Sequence, residues 1–258
     1  EMNVNDCDIC TAPDPVTAAS DLLDIGFHLS DNCTAIADLQ VNVTERRTFA
    51  PCDIFIARTY TVTDACGNVS DEVYHNIHII DRTAPRIDGT LSDTLIEGCD
   101  ISALDEYPAA TTGPQLLAIG GINIIEACTP IDSLIVASSY VYSGTCPIVV
   151  TRTYTVEDAC GNISLAFSQH IEIQDTTPPI IAEQLADSLL IGADCEFVVP
   201  DFAGTVLAQV MDACTVNNDL VITQLPLAGS TISDDTEVTV SIEDECGNIA
   251  TTHINAMM

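Results

Sequence analysis

The sequence contains no lysine and no tryptophan. Its positive charge rests on six arginines, Arg46, Arg47, Arg58, Arg82, Arg86 and Arg152, against 39 acidic residues, for a formal net charge of −33. Without lysine there is no Schiff-base chemistry and no phosphate-gripping P-loop. The excess of negative charge excludes nucleic acid and anionic membrane surfaces as partners, because both are held by Lys and Arg neutralising phosphate. Aromatic residues make up only 5% of the chain, which disfavours a sugar-stacking platform. No Gly-x-Ser-x-Gly or His-Glu-x-x-His motif occurs, so the expectation is a protein that is not an enzyme. No leader-like segment and no apolar run of 18 residues is present, which reads as a mature or excised piece of an extracellular protein.

What is present is a repeat. Asp-Ala-Cys-Gly-Asn stands at residues 64–68 and again at 158–162, with Asp-Glu-Cys-Gly-Asn at 244–248. The six residues from Arg58, Arg-Thr-Tyr-Thr-Val-Thr, return from Arg152 as Arg-Thr-Tyr-Thr-Val-Glu and relax to Val-Thr-Val-Ser-Ile-Glu from Val238. Self-similarity of this kind decides the architecture before any single element does. The bulky residues alternate (Arg58, Tyr60, Val62; Arg152, Tyr154, Val156; Val238, Val240, Ile242), which is the period of a half-buried strand. Cys-Gly-Asn supplies a turn, Gly and Asn both tolerating positive φ. Ile77/Ile79 and Ile171/Ile173 resume the alternation on a return strand.

Proline after Asp-x-Thr ends the first two units, because it lacks the N–H a ladder needs. The borders therefore fall at residues 1–81, 82–175 and 176–258, three modules of sandwich size. The fold class expected is all-β: three tandem immunoglobulin-like β-sandwich modules in an extended rod. Further strands are expected at 27–30, 133–142, 220–225 and 237–242, a surface loop at 108–121, and no helix. The chain opens at a first strand without the Pro-containing linker of the later modules, which predicts a piece of a longer array.

Twelve cysteines at recurring spacings indicate an oxidising compartment. Cys146 and Cys160 are 14 residues apart along a strand, about 46 Å if straight, far beyond the ~7 Å Cα limit of a disulfide. The middle-turn cysteine and the Cys-Gly-Asn cysteine recur at a separation of 32 or 33 residues. The pairs expected are thus Cys33–Cys66, Cys128–Cys160 and Cys214–Cys246, with Cys10–Cys52 and Cys99–Cys146 completing the set. Cys7 and Cys195 are left over, as free thiols or as links to neighbouring chains; Cys7–Cys10 would need a local turn. A zinc or redox reading of Cys7-Asp-Ile-Cys10 lacks a second such pair. His75 and His78, three apart on a strand, point to opposite faces and cannot chelate together.

Hard oxygen ligands recur at module ends: Asp64, Asn68 and Asp81, then Asp158, Asn162 and Asp175. Each set is expected at one end of its module, where oxygens of this kind suit calcium and would stiffen the hinge. The competing reading is that Asp caps the turn and Asn adopts a left-handed conformation.

Asp-Asn-Cys, Thr-Cys-Pro, Arg-Thr-Tyr-Thr-Val-x-Asp-Ala-Cys-Gly-Asn and Asp-Thr-Thr-Pro-Pro together resemble the hyalin-repeat-like, immunoglobulin-like modules of very large Bacteroidetes surface proteins. The likeness is strongest in the second module; the third lacks the Arg, the Tyr and one cysteine. The resemblance implies a cell-surface adhesin stalk exported by the type IX route. It also implies candidate O-glycosylation at Thr94, Ser133, Thr176 and Ser188, each following Asp. Partners would be neighbouring copies or further modules, with a surface glycan or protein as receptor. The alternatives are a filament subunit assembled by strand addition or inter-chain contacts, and a spacer module of a secreted enzyme.

Overall fold

The computed structural model describes residues 1–8, 11–50, 52–182, 188–190 and 197–257. It is an all-β protein built as a tandem of immunoglobulin-like modules. The first module contains β1 (Met2–Asn5), helix α1 (Ala19–Asp24), β2 (Gln40–Ala50), β3 (Asp53–Thr63) and β4 (Val73–Ile80). The second has β5 (Arg86–Gly89), β6 (Thr94–Glu97), α2 (Gly113–Ile119), β7 (Ile122–Ile125), β8 (Ile135–Ser143), β9 (Ile148–Glu157) and β10 (Phe167–Gln174). The third has β11 (Ile180–Ile181), β12 (Ser188–Leu190), β13 (Phe197–Val198), α3 (Ala203–Leu207), β14 (Val210–Met211), β15 (Val221–Leu225), β16 (Thr231–Ile232), β17 (Thr236–Glu243) and β18 (Ile249–Met257).

Each module has one four-stranded sheet of the same plan, in the orders β1-β4-β3-β2, β6-β10-β9-β8 and β12-β18-β17-β15. The opening strand lies parallel to the return strand, Met2 opposite Ile77 and Thr94 opposite Ile171. In sequence order, therefore, Cys7 and not Cys10 is the counterpart of Cys99, each standing five residues beyond its pairing strand's first residue. Cys10 and Cys195 lie outside the described residues.

The alternation read from the sequence is the burial pattern found. Arg58, Tyr60 and Val62, Arg152, Tyr154 and Val156, and Val238, Val240 and Ile242 are all buried. In the third module Val206 of α3, Val210 of β14 and the partly buried Ile181 and Ile232 pack on Val238, Val240, Ile242 and Ile254 of the large sheet. Burying side chains of this size contributes about 1.5–3 kcal/mol each. Ile242→Ala should cost about 2–5 kcal/mol, read as a lowered chemical-denaturation midpoint, because the dense core cannot close over the void.

Three expectations fail. Residues 27–30 form no strand: Phe27 and Leu29 run as coil against Leu22 and Tyr60, contributing side chains to the core without ladder bonds. Residues 108–121 are not simply a loop, because α2 buries Leu116 there. Its Pro114 sits in the first turn, where a missing N–H costs nothing. Short helices also occur in the other modules; at five to seven residues each they hide from a periodicity search.

The described residues divide into two compact units that cut across the repeat borders. The first comprises Glu1–Leu91, Ala110–Ser138 and Tyr154–Phe167, and the second Ser92–Ala109, Ser139–Thr153 and Ser168–Met258. One module-to-module junction lies wholly inside each unit.

Candidate functional site: the module junctions

Each module presents a head face made of two turns. In the first turn a carboxylate accepts from two successive backbone N–H groups: Asp31 from Cys33 and Thr34, Glu126 from Cys128 and Thr129, Asp212 from Cys214 and Thr215. In the second, Asp64, Asp158 and Asp244 accept through Oδ1 from the N–H groups of Cys and Asn, and through Oδ2 from the Asn side-chain amide. The amide of Asn68, more than any other donor, holds the Asp64 carboxyl below the usual carboxylate range, with backbone N–H groups adding to it.

A threonine clamps the two turns together: Thr34, Thr129 and Thr215 accept from the N–H of Ala65, Ala159 and Glu245. Gly67, Gly161 and Gly247 take φ of +86°, +82° and +84°, and no non-glycine residue has positive φ among the described residues. Asn is therefore selected for its side-chain amide rather than for a left-handed backbone. This is the capping reading of Asp64 and Asp158; Asp64 and Asn68 share no ligand group with Asp81 because Asp81 meets the next module's turns.

Cysteines emerge from both turns, and their partners are in the preceding module. Among the described residues the disulfides are Cys7–Cys128 and Cys52–Cys160 in the first unit, and Cys99–Cys214 and Cys146–Cys246 in the second, with Cα separations of 4.8–5.4 Å. Every pairing expected within a module for described cysteines is overturned: Cys128–Cys160, Cys214–Cys246 and Cys99–Cys146 do not form, and Cys33 and Cys66 are free and exposed. Cys7, expected to be left over, is bonded. The physical reason is the repeat itself: a separation of 32 or 33 residues marks two cysteines on one face, aimed outward side by side, not at each other. The expected Cys10–Cys52 bond is replaced at Cys52 by the bond to Cys160.

The linker aspartates meet the next module's turns, not their own. Asp81 lies within 4.8 Å of Asp158 in one group with Cys160 and of Glu126 in another with Cys128, while the ligand atoms of Asp175, Asp212 and Asp244 all lie within 4.8 Å of one another. Glu126, Asp212 and Asp244 escaped the sequence reading, although their place ahead of each Cys-Thr or Cys-Gly-Asn was visible. Both linker carboxyls are buried, at 5% and 1% exposure, and the Oδ2 of each has no hydrogen-bond partner. Burial, then the charges of Asp158 and Glu126, pushes the Asp81 carboxyl above its ordinary range, against one hydrogen bond from the Thr83 N–H. Asp175 is raised likewise by burial, then by Asp212, Glu97 and Asp244, against the N–H of Thr177.

At the second junction a buried orphan oxygen among three carboxylates fits a hard divalent cation such as calcium, which takes oxygen ligands and would neutralise the repulsion; at the first, Asp81 pairs with Asp158 on one side and Glu126 on the other. The sulfurs of Cys128 and Cys160 beside the first set are disulfide-bonded, so the donors there are the carboxylates alone.

The Asn amides fasten the linkers. Asn162 Nδ2 donates to the Asp81 backbone carbonyl at 3.3 Å, and Asn248 Nδ2 to that of Asp175 at 3.0 Å. Asn162→Ala should therefore cost about 1 kcal/mol more than Asn68→Ala, whose amide reaches only Asp64. Parallel denaturation of the two variants checks the difference.

No protein-family model matches this chain, and no curated protein matches it. Among solved structures, the protocadherin gamma B7 extracellular cadherin domains 1–4 align with a TM-score of 0.31 and 9% identity over 99% of this chain and 73% of that one. The human desmocollin-1 ectodomain aligns at 0.25 and 10% identity, over 88% and 55%, and the protocadherin gamma B4 extracellular domain at 0.28 and 11%, over 86% and 45%. The chain thus spans about half the length of those last two structures. Scores this low carry no inference about ligand or partner.

Of the candidate glycan acceptors, Thr94 is engaged in a half-buried network with Tyr107 and Gln169, which argues against modification there. Ser133 is exposed, and Thr176 is exposed with its hydroxyl donating to Glu97. The side chain of Ser188 lies outside the described residues. His75 and His78 sit on β4 at positions of opposite parity, so they face opposite sides of the sheet. No helix among the described residues is long and apolar enough to cross a membrane.

Proposed function

We propose that this chain is a force-bearing repeat region of an extracellular protein, the stalk of a surface adhesin. In this reading its modules are welded in series by paired disulfides and braced by calcium at the junction carboxylates. The observation that carries this reading is the wiring: all four disulfides among the described residues run from one repeat to the next. Bonds inside a module protect that module, whereas bonds between modules carry tension past it. Disulfides on this scale belong to an oxidising compartment, which supports an extracellular location. The repeat motifs shared with hyalin-like surface modules support the adhesin assignment, with a glycan or protein receptor engaged elsewhere in the full assembly. The chain's work is mechanical, not catalytic.

The test is a peptide map of alkylated, unreduced protein. Cross-linked peptides joining Cys7 to Cys128, Cys52 to Cys160, Cys99 to Cys214 and Cys146 to Cys246 are expected. Cross-links confined within single modules would sink the reading.

A second reading, self-assembly by strand addition, is favoured by one feature. The last strand of the second module's sheet, β8, exposes Tyr140, Val141 and Tyr142 along an unpaired edge. Replacing Val141 with Lys should abolish fibre growth in electron micrographs if that edge drives it; fibres that persist in the variant would eliminate this route.

A further inference from the structure

We infer that the head face of the first module is a covalent docking site for one more module of this repeat, preceding it in the same polypeptide and carrying two tail cysteines. The inference rests on the reading that consecutive modules are cross-linked.

The same face is built three times, with the same carboxylate turn, the same threonine clamp and the same Asp-Asn turn. Two copies are engaged. Each takes two disulfides from the module before it and sends an Asn amide to the backbone carbonyl of that module's linker aspartate. On the first module all these groups are in place and none is used. Cys33 and Cys66 are exposed thiols, and Asn68 keeps its amide on Asp64. A cleft of about 260 Å³ opens beside them, lined by Asp31, Leu39, Asp64, Asn68 and Val69. At the second junction Asp244, the counterpart of Asp64, lines a cavity of about 420 Å³ shared with the linker Asp175 and the tail cysteines Cys99 and Cys146.

The occupant is specified by what the face lacks. It must bring one cysteine after a first strand, as Cys7 and Cys99 do, and one six residues ahead of the central strand's Arg, as Cys52 and Cys146 do. It must also bring a linker aspartate whose carbonyl meets Asn68. A second copy docking by its third module does not qualify, because the position six residues ahead of Val238 is Ile232. Cys66 would then have no partner. The linker requirement points to a module joined in sequence, since at both junctions the acceptor carbonyl belongs to the segment connecting the two modules.

Each bond forms by removing two protons and two electrons from a pair of thiols. A disulfide-form oxidant accepts them and leaves as its dithiol.

The native polypeptide, alkylated without reduction and digested, supplies the test by mass spectrometry. Cys33 is expected in a cross-link to a first-strand cysteine of another repeat, and Cys66 to a third-position cysteine of that same repeat, with no second polypeptide released on reduction. Alkylated Cys33 and Cys66, a Cys33–Cys66 cross-link, or a bond to a separate polypeptide would each overturn the inference. The four bonds between described modules are read in the same map: if they are present, only the docking site fails, and if they are missing, the functional reading fails with it. In the 258-residue chain alone, Cys33→Ser with Cys66→Ser should remove two reactive thiols without moving the melting temperature. Loss of no thiol would show that the two are already bonded to each other and overturn the inference.

Discussion

Pulled by its two ends in an oxidising buffer, the chain should lengthen to no more than about 13 nm, against about 90 nm once its disulfides are reduced. The limit follows from the covalent path. Tension entering at residue 1 crosses from Cys7 to Cys128, runs to Cys146, crosses to Cys246 and leaves at residue 258. Only about 36 residue steps lie on that path, at roughly 3.5 Å each. Everything else hangs in closed loops that can unfold without lengthening the molecule. Pairing within modules, as the spacing suggested, would leave about 136 steps and a limit near 48 nm. Cys7→Ser with Cys52→Ser severs the first junction and should move the limit to about 50 nm. Single-molecule force spectroscopy reads these lengths directly, and an oxidised wild-type chain that reaches beyond about 20 nm would falsify the wiring.

The bonds also stabilise. The bridged residues are separated by 100–121 positions, and closing a loop of that size restricts the unfolded chain by about 4.7 kcal/mol in the chain-entropy account. The second bond of each pair closes an already shortened circuit and adds less. The mechanical consequence does not depend on that number, because it is a matter of connectivity.

Calcium should raise the melting temperature by about 10–20 °C at one hundred times its dissociation constant, since saturation to that degree is worth about 2.7 kcal/mol at each of the two sites. The effect should vanish in Asp81→Asn with Asp175→Asn, which removes both orphan carboxylate oxygens. The pH dependence has a definite sign. Asp81 and Asp175 have carboxyls raised in the folded state, chiefly by burial. Their contribution is present below the ordinary carboxylate range and is lost as pH rises through the raised values. In calcium-stripped buffer, stability should therefore fall more steeply for wild type than for the double variant as pH rises above the ordinary carboxylate range. Calcium should abolish that extra fall. The double variant is the needed control, because relief of the general self-repulsion of a −33 chain at low pH acts in the same direction. Equal slopes and equal calcium responses in the two proteins would remove the cation from the junction.

Much of this was written in the sequence. Alternation at Arg58, Tyr60 and Val62 and its two echoes determined the central strands, because a period of two can bury only one face. The absence of lysine and the load of carboxylates pointed to cations rather than phosphates as the ligands to look for. The repeated cysteines determined that the chain is cross-linked. What the sequence could not decide was direction. Cys128 and Cys160 recur together, and recurrence shows only that two residues belong to the same structural unit. Whether they face each other or stand side by side depends on turns clamped by Thr129 and Ala159, and on where the preceding module's Cys7 and Cys52 arrive. The same holds for Asp81, which shares its module's text with Asp64 but its space with Asp158. A repeat's sequence specifies what each module carries. Packing of one module's tail on the next one's head decides which groups meet, because that contact joins residues 73 to 121 positions apart that no local pattern relates.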